Sequence, residues 1–209
     1  TGSAWFWSDV KIQKHVEYEI KGLELLNNTE TQSGNLVLFK HSQHLELDAR
    51  LLGLNAEIYG VGRSHNSPIM NNLQTQGRLS SIQATADKNN PREFLAWLKK
   101  GKNVLYAIDQ DYGWKNSIEL SFFKNPAATI TTTRKIIDIT QCNLLFVNSY
   151  FAEEKLVLEL ESINHDDLDS MELAQKINDL MEQKITLHPE EYLWSHRRFK
   201  STLGKNFYK

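Results

Sequence analysis

The stretch that decides the fold is Asn35-Leu-Val-Leu-Phe-Lys-His41-Ser-Gln-His44-Leu-Glu46-Leu-Asp48-Ala-Arg50-Leu-Leu-Gly53. Its first part, residues 36–39, is a short apolar run with the length and bulk of a buried β-strand. From residue 42 the apolar residues recur at helical spacing, and a glycine at position 53 is typical of a helix end. The pattern predicts a strand followed directly by a helix, with His41 at the carboxyl end of the strand.

Reacting groups in open α/β sheets favour this place, beside the partly positive amino end of a helix. Glu46 follows His41 by five residues and falls in the first turns of the predicted helix. We expect its carboxylate to reach back to the imidazole, hold one ring nitrogen and fix the tautomer. The other nitrogen would then be free to act as a general base.

Three interpretations of this junction remain open from the residues alone. The polar side chains could simply be exposed where a strand meets a helix. A metal site is a second interpretation, because His41, His44, Glu46 and Asp48 are all ligand types, although their spacing is not that of a helical His-Glu-x-x-His site. The third is a catalytic base, since the strand-His-x4-Glu-helix pattern resembles the His-x4-Asp/Glu motif of glycerolipid-type acyltransferases.

The composition is that of an ordinary globular chain and predicts a single domain over residues 1–209. Hydrophobic residues make up 40% and charged residues 24% of the 209 positions, and the net charge of −2 gives no bias towards nucleic acid. The single cysteine, Cys142, excludes an internal disulfide framework and fits a reducing compartment. No apolar run approaches the ~20 residues that span a bilayer, and no signal-peptide pattern is present. Because the first residue is Thr1, we expect a fragment of a longer chain.

Strand-like and helix-like segments alternate along the chain. Strands are predicted at residues 15–21, 36–39, 57–63, 103–109, 144–147 and 155–161, the last as an edge strand. Helices are predicted at residues 22–26, 42–53, 68–76, 91–101, 131–141, 167–185 and 190–200. This alternation predicts an α/β domain with one mixed, mostly parallel central sheet flanked by helices.

Other polar groups also fall at predicted strand or helix ends. Arg78 follows a helix, where a surface cation is also favoured by the dipole. Asp109 and Asp111 follow the apolar strand 103–109, where they could cap a turn, bind Mg²⁺ or order a loop beside the site. Arg63 ends another predicted strand.

Several motifs, taken in order, resemble one family, the late (secondary) acyltransferases of lipid A biosynthesis, which include lauroyl and myristoyl transferases. The resemblance covers nearly the whole chain. Its most specific parts are Asp109-Gln-Asp-Tyr-Gly113 and the tail Tyr192-Leu-Trp-Ser-His-Arg-Arg-Phe-Lys200, which join the His41-x4-Glu46 pair. One departure is Gly62-Arg63-Ser-His-Asn-Ser67-Pro68, which stands where the family has Tyr-Arg-Pro-Asn-x-Asn-Pro.

The resemblance implies a glycerolipid-acyltransferase-like fold and an O-acyltransferase without cofactor or metal. The enzyme would move a lauroyl or myristoyl chain from an acyl carrier protein thioester to a 3-hydroxyacyl hydroxyl of a lipid A precursor, in lipopolysaccharide biosynthesis. It would work on a membrane surface, the cytoplasmic face of the bacterial inner membrane, downstream of an anchoring N-terminal helix. Nucleic acid is not expected as a partner.

Residue roles follow from the same resemblance. The expected catalytic residues are His41 as base, Glu46 as its orienting carboxylate, and Arg78 for the oxyanion or a phosphate. The expected substrate-binding residues are Arg63, Asp109, Asp111, Arg197, Arg198 and Lys200. Two alternatives stay open: transfer to the hydroxyl of another glycolipid or of a glycerophospholipid, and a non-catalytic lipid-binding module of the same fold.

Overall fold

The computed structural model describes residues 2–27, 33–63 and 67–208. The strands in these ranges are β1 (Tyr18–Lys21), β2 (Asn35–Phe39), β3 (Ile58–Gly62), β4 (Ala84–Asp87), β5 (Asn103–Ala107), β6 (Ser117–Phe122), β7 (Asn125–Ile130), β8 (Asn143–Ala152) and β9 (Lys155–Ser162). The α-helices are α1 (Gly2–Phe6), α2 (Asp9–His15), α3 (Leu45–Asn55), α4 (Pro68–Leu79), α5 (Pro91–Lys99), α6 (Thr132–Thr140) and α7 (Ser170–Leu187). Short 3-10 turns occupy Leu23–Leu26, Pro189–Glu191 and Lys205–Tyr208.

Seven strands form one sheet in the order β1-β9-β8-β2-β5-β3-β4, and β6 and β7 form a separate antiparallel hairpin. Strand β2 lies between β5 and β8 and is parallel to both. The β8–β9 pair is antiparallel, whereas β9 pairs with β1 in the parallel sense. The predicted mixed, mostly parallel sheet is therefore confirmed.

Strand β2 is central because it is apolar on both faces, as strands covered by helices on two sides usually are. Leu36 and Leu38 are fully buried in the core formed with α5, α6 and α7. Val37, which points the opposite way, is fully buried in a second core that includes Leu51 and Leu52 of α3. The alternating side chains of one short strand thus join both helical layers.

The largest error in the predicted elements is the helix at residues 190–200. The structure has only the 3-10 turn Pro189–Glu191 there, followed by irregular turns. Tertiary contacts override the helical spacing: Tyr192 bridges to Ser42, and the amide of Ser201 donates to Asp111. This tail therefore runs across the end of the sheet that carries the site.

Other differences are smaller and have local causes. Residues 15–21 contain the end of α2 and only four strand residues, and β9 is not an edge strand because β1 covers it. The strand β4 and the hairpin β6–β7 carry no strong apolar run and were not predicted. Helix α4 continues past the glycine at position 77 to Leu79. None of the helices in the described ranges has both the length and the apolar composition for a bilayer crossing.

Candidate active site

The site lies at the carboxyl ends of β2 and β5, the place at which ligands bind in open α/β sheets. In the parallel register of these strands, Phe39 is opposite Ala107. His41 and Asp109 each follow two residues later, so the two side chains leave the sheet side by side. The sheet itself therefore builds a histidine–carboxylate pair.

Two hydrogen bonds fix this pair. Nδ1 of His41 is 2.6 Å from Oδ1 of Asp109, and the backbone N–H of His41 donates to Oδ2 at 2.9 Å. Asp109 is 1% exposed. Burial alone would raise the pKa of this carboxyl, but the hydrogen bonds and charge of His41 outweigh it and the pKa is lowered. Because an ionised carboxylate only accepts hydrogen bonds, the ring proton of neutral His41 is on Nδ1.

The second ring nitrogen faces a cavity and has one polar neighbour. The side-chain amide of Gln110 lies 2.9 Å from Nε2 of His41 and donates to its lone pair. His196 stacks parallel to His41, with ring centroids 6.4 Å apart. Burial, supported by the charge of His41 and opposed by that of Asp109, lowers the pKa of His196. Nε2 thus carries a lone pair whose polar neighbour in the protein is a neutral amide.

The prediction that Glu46 orients His41 is wrong. Its carboxylate accepts from Arg78 through Nη2 at 2.7 Å and through Nε at 3.2 Å. It also accepts from the indole N–H of Trp5 at 2.9 Å. Helix α3 begins only at Leu45, so Glu46 points towards α1 and α4 rather than back to β5. Asp109 occupies the position at the imidazole that the sequence assigned to Glu46.

The amino-terminal helix α1 is part of this arrangement. An added Cβ at Gly77 would lie 2.4 Å from Cγ of Trp5, so the indole packs directly on the backbone of α4. Gly77 is therefore required for close approach and is not a helix stop. Trp5 is therefore packed against the protein, whereas its neighbour Phe6 is 63% exposed.

Two predicted substrate-binding residues instead hold the carboxyl-terminal tail. Asp111 accepts from the amide and hydroxyl of Ser201 at 2.6 and 2.7 Å. Burial opposes ionisation of Asp111, but these hydrogen bonds prevail and lower its pKa. Arg198 is 3% exposed and donates to the Ala128 carbonyl at 2.8 Å and to the Thr129 hydroxyl at 2.9 Å. The guanidinium of Arg198 is therefore held inside the protein rather than presented to a substrate.

The remaining predicted residues, apart from Arg197, line one large cavity. This cavity, of about 1170 Å³, is open to His41 and is bordered by Arg63, Arg78 and Lys200. Arg197 is exposed and lies over the Tyr208 ring at 5.9 Å, outside the cavity lining. A second, apolar cavity of about 70 Å³ lies behind the Glu46–Arg78 pair.

The four ligand-type residues near the junction do not converge. His41 faces Asp109, whereas His44 is held between Asp48 at 2.8 Å and Glu191 at 2.9 Å. Burial alone would lower the pKa of His44, but the two carboxylates outweigh it and raise the pKa. Within the described ranges no three His, Cys, Asp or Glu side chains are placed to share a metal ion.

Sequence reasoning missed Gln110, His196 and Trp5 as site residues, although Gln110 and His196 lie in the two motifs that carried the resemblance. It also assigned Asp109 to substrate or loop ordering rather than to the imidazole. The signal that could have found Asp109 is the pairing of two apolar strands that both end in polar residues, at positions 41 and 109.

The fold resembles that of a glycerolipid-type acyltransferase. A solved structure of the 1-acyl-sn-glycerophosphate acyltransferase from Thermotoga maritima matches with a TM-score of 0.51 and 14% sequence identity, over 83% of this chain and 72% of that chain. At this identity the likeness supports the fold alone, and it confirms the glycerolipid-acyltransferase-like architecture.

Comparison of the sequence identifies the protein family. Residues 1–201 match the bacterial lipid A biosynthesis acyltransferase family, and the chain belongs to that family and is an acyltransferase. It is 35% identical to a lipid A biosynthesis lauroyltransferase and 34% identical to a lipid A biosynthesis palmitoleoyltransferase, both of Escherichia coli. It is 31% identical to a lipid A biosynthesis acyltransferase of Haemophilus influenzae. The two matches to the E. coli enzymes cover 96% of this chain and 67% of each relative.

Proposed function

We propose that this chain moves a lauroyl or myristoyl group from an acyl carrier protein thioester to a 3-hydroxyacyl hydroxyl of a lipid A precursor. The observation that carries the proposal is the His41–Asp109 pair, whose outer nitrogen opens into a large cavity. The family assignment supports the lipid A acceptor, and the apolar residues of that cavity suit acyl chains.

His41 is the general base of this reaction. An alcohol is a poor nucleophile near neutral pH, so Nε2 takes the hydroxyl proton as the oxygen attacks the thioester carbonyl. Asp109 stabilises the imidazolium that forms, and the imidazolium then protonates the departing carrier thiolate. One ester bond forms and one thioester bond breaks, with no covalent acyl-enzyme. Base assistance of this kind is worth roughly 10²–10⁴-fold in rate.

Two side chains are placed to assist the developing oxyanion. Gln110 holds Nε2 in the free protein, and an entering hydroxyl would displace its amide towards the reacting carbonyl. Arg78 lines the same cavity, and its ion pair with Glu46 fixes the guanidinium. Preorganised donors at such positions stabilise a charge that exists only in the transition state. Glu46 is thus a positioning residue for Arg78.

The same proposal includes the wider setting of the chain. Residues 1–209 would form a single acyltransferase domain that acts on the cytoplasmic face of the inner membrane, downstream of an anchoring helix. The exposed Phe6 and Trp194, with the exposed cation Arg197, are side chains that suit a headgroup layer.

The test is a direct transfer assay. The chain is incubated with detergent-dispersed lipid A precursor and with carrier protein loaded with laurate, myristate or palmitoleate. The mass of the lipid product is then measured by mass spectrometry. The proposal predicts a mass gain of one lauroyl or myristoyl ester that disappears in His41→Ala. Transfer of palmitoleate alone would contradict the proposed lauroyl or myristoyl donor. Transfer only to a lysophosphatidate control would contradict the proposed lipid A acceptor.

A further inference from the structure

The large cavity beside His41 has a lining of strongly unequal charge. Six of its lining side chains are lysine or arginine, and one, Asp111, is a carboxylate already bonded to Ser201. The whole chain, by contrast, carries a net charge of −2. Positive charge is therefore concentrated at this cavity.

Arg78 and Lys200 both have carboxylates of the protein close to them. Arg78 is paired with Glu46, and Lys200 lies close enough to Asp111 to help lower the pKa of that carboxyl. Lys88, Lys115 and Lys135, by contrast, form no ion pair with any carboxylate in the described part of the chain.

The three lysines belong to segments that contact one another. Lys88 follows β4, and its ammonium lies 4.3 Å from the centroid of the Tyr112 ring in the β5–β6 connection. Lys115 is three residues further along that connection. The amide of Thr131, directly before α6, donates to the carbonyl of Asn116. Lys135 lies in the first turns of α6, so the contacts run from one lysine-bearing segment to the next.

Lys88 is partly buried and lies near a second cation, Arg63. Burial, followed by the positive charge of Arg63, lowers the pKa of Lys88, and Asp87 only partly opposes them. Cations that line one cavity raise the local concentration of anions, and a bound anion relieves the repulsion between them. The neighbouring walls are apolar, with Phe94, Tyr106 and Ile136 among the lining residues. The cavity as a whole suits an amphiphile that bears a strong anion.

We propose that Lys88, Lys115 and Lys135 form a phosphate subsite, which holds a phosphate of one substrate while the reacting group of that substrate lies at His41. The subsite rests on the acyl transfer proposed above and specifies what the cavity recognises. The phosphate comes from one of two sources, the sugar phosphate of the acceptor or the phosphopantetheine arm of the carrier, and the experiment separates them.

The variant to test carries alanine at all three lysines. Its matched control removes the same charge from exposed lysines outside the cavity, Lys14, Lys99 and Lys100. Steady-state kinetics are measured with the phosphorylated acceptor and its dephosphorylated form, and with the acyl-carrier thioester and an acyl-pantetheine that lacks phosphate. We expect KM to rise at least about tenfold for the substrate that supplies the phosphate, with kcat little changed. Its phosphate-free counterpart and the control variant should show no such rise.

An equal rise in KM for phosphorylated and phosphate-free substrates, or the same rise in the control variant, would overturn the subsite. Binding of pyrophosphate to the free protein, followed by calorimetry, tests the subsite apart from catalysis. Pyrophosphate binding that is lost in the triple variant supports the subsite even if no acyl transfer occurs, in which case only the proposed function fails. Absence of pyrophosphate binding to the unaltered chain, together with unchanged kinetics in the variant, refutes the subsite while leaving the proposed function intact.

Discussion

Asp109→Asn is the substitution that most directly examines the site. The side chain keeps its size, and its oxygen can still accept the backbone N–H of His41, so the loop should remain folded. The negative charge next to Nδ1, at a position 1% exposed, is removed. An amide can also present its N–H₂ to Nδ1, which would place the ring proton on Nε2, the nitrogen that must act as the base.

The magnitude follows from the charge that is lost. Two unit charges about 4 Å apart at an effective dielectric constant of about 20 interact by about 4 kcal/mol. At about 1.4 kcal/mol per factor of ten, loss of that attraction to the imidazolium slows the transfer step by about 10³-fold. The tautomer change can add to this loss, and the corresponding substitution in a serine-protease triad costs about 10⁴-fold. We therefore expect a fall of roughly 10²–10⁴-fold in kcat, with KM little changed.

The matched comparison is Glu46→Gln, which also removes one carboxylate charge. It leaves the His41–Asp109 pair untouched and loosens Arg78, so we expect a loss in kcat smaller than that of Asp109→Asn by at least about tenfold. The assay is single-turnover transfer from acyl carrier protein, with thermal unfolding to establish that both variants are folded. A folded Asp109→Asn protein with near-native turnover, beside an inactive Glu46→Gln protein, would refute the assignment and restore Glu46 as the partner of the base.

Three further predictions concern stability. Arg198→Lys should lower the free energy of unfolding by about 2–4 kcal/mol, because an ammonium cannot reach both acceptors of the buried guanidinium. Arg197→Ala, on the surface, should change the free energy of unfolding by no more than about 0.5 kcal/mol. Equal effects of the two substitutions in denaturant titration would contradict the buried contact. Gly77→Ala should cost about 1–3 kcal/mol, since the new methyl group collides with Trp5, and an unchanged melting temperature would argue against that packing. The pKa of His44 in the folded protein is raised above its ordinary value of 6.5, so its stabilising contribution is complete below about pH 6.5 and is lost as the pH rises through the folded pKa. The difference in unfolding free energy between the native chain and His44→Ala should therefore shrink as the pH rises through this range. A difference that grows instead would contradict the pairing of His44 with its two carboxylates.

The sequence was a good guide wherever burial decides the structure. The apolar run at residues 36–39 became the central strand β2, and the helical spacing after it became α3, because each has a local pattern that matches its burial. The site histidine was found for the same reason, since the end of a buried strand can be recognised without knowledge of its neighbours.

The partner of that histidine could not be found by spacing. Glu46 is five residues away and Asp109 is sixty-eight, yet the parallel pairing of β2 with β5 makes the distant residue the neighbour. The prediction of a helix at residues 190–200 is wrong for a related reason. The periodicity of these residues fits a helix, but the hydrogen-bond acceptors of Arg198 lie on the β6–β7 hairpin. Charge patterns in a sequence do not reveal which charges are buried and paired.

In the proposed mechanism the two carboxylates near the site have separate roles, and the separation has an electrostatic reason. The transition state needs a positive charge on His41 and a negative charge on the reacting oxygen. An unpaired Arg78 in the same cavity would favour the oxyanion but oppose the imidazolium. Glu46 accepts from Arg78 through both carboxylate oxygens, and its negative charge offsets most of the electric field of the guanidinium at a distance, while the guanidinium remains in the cavity lining. In this mechanism Asp109 acts on His41 alone, and Arg78 can remain in the cavity lining without weakening the proposed base.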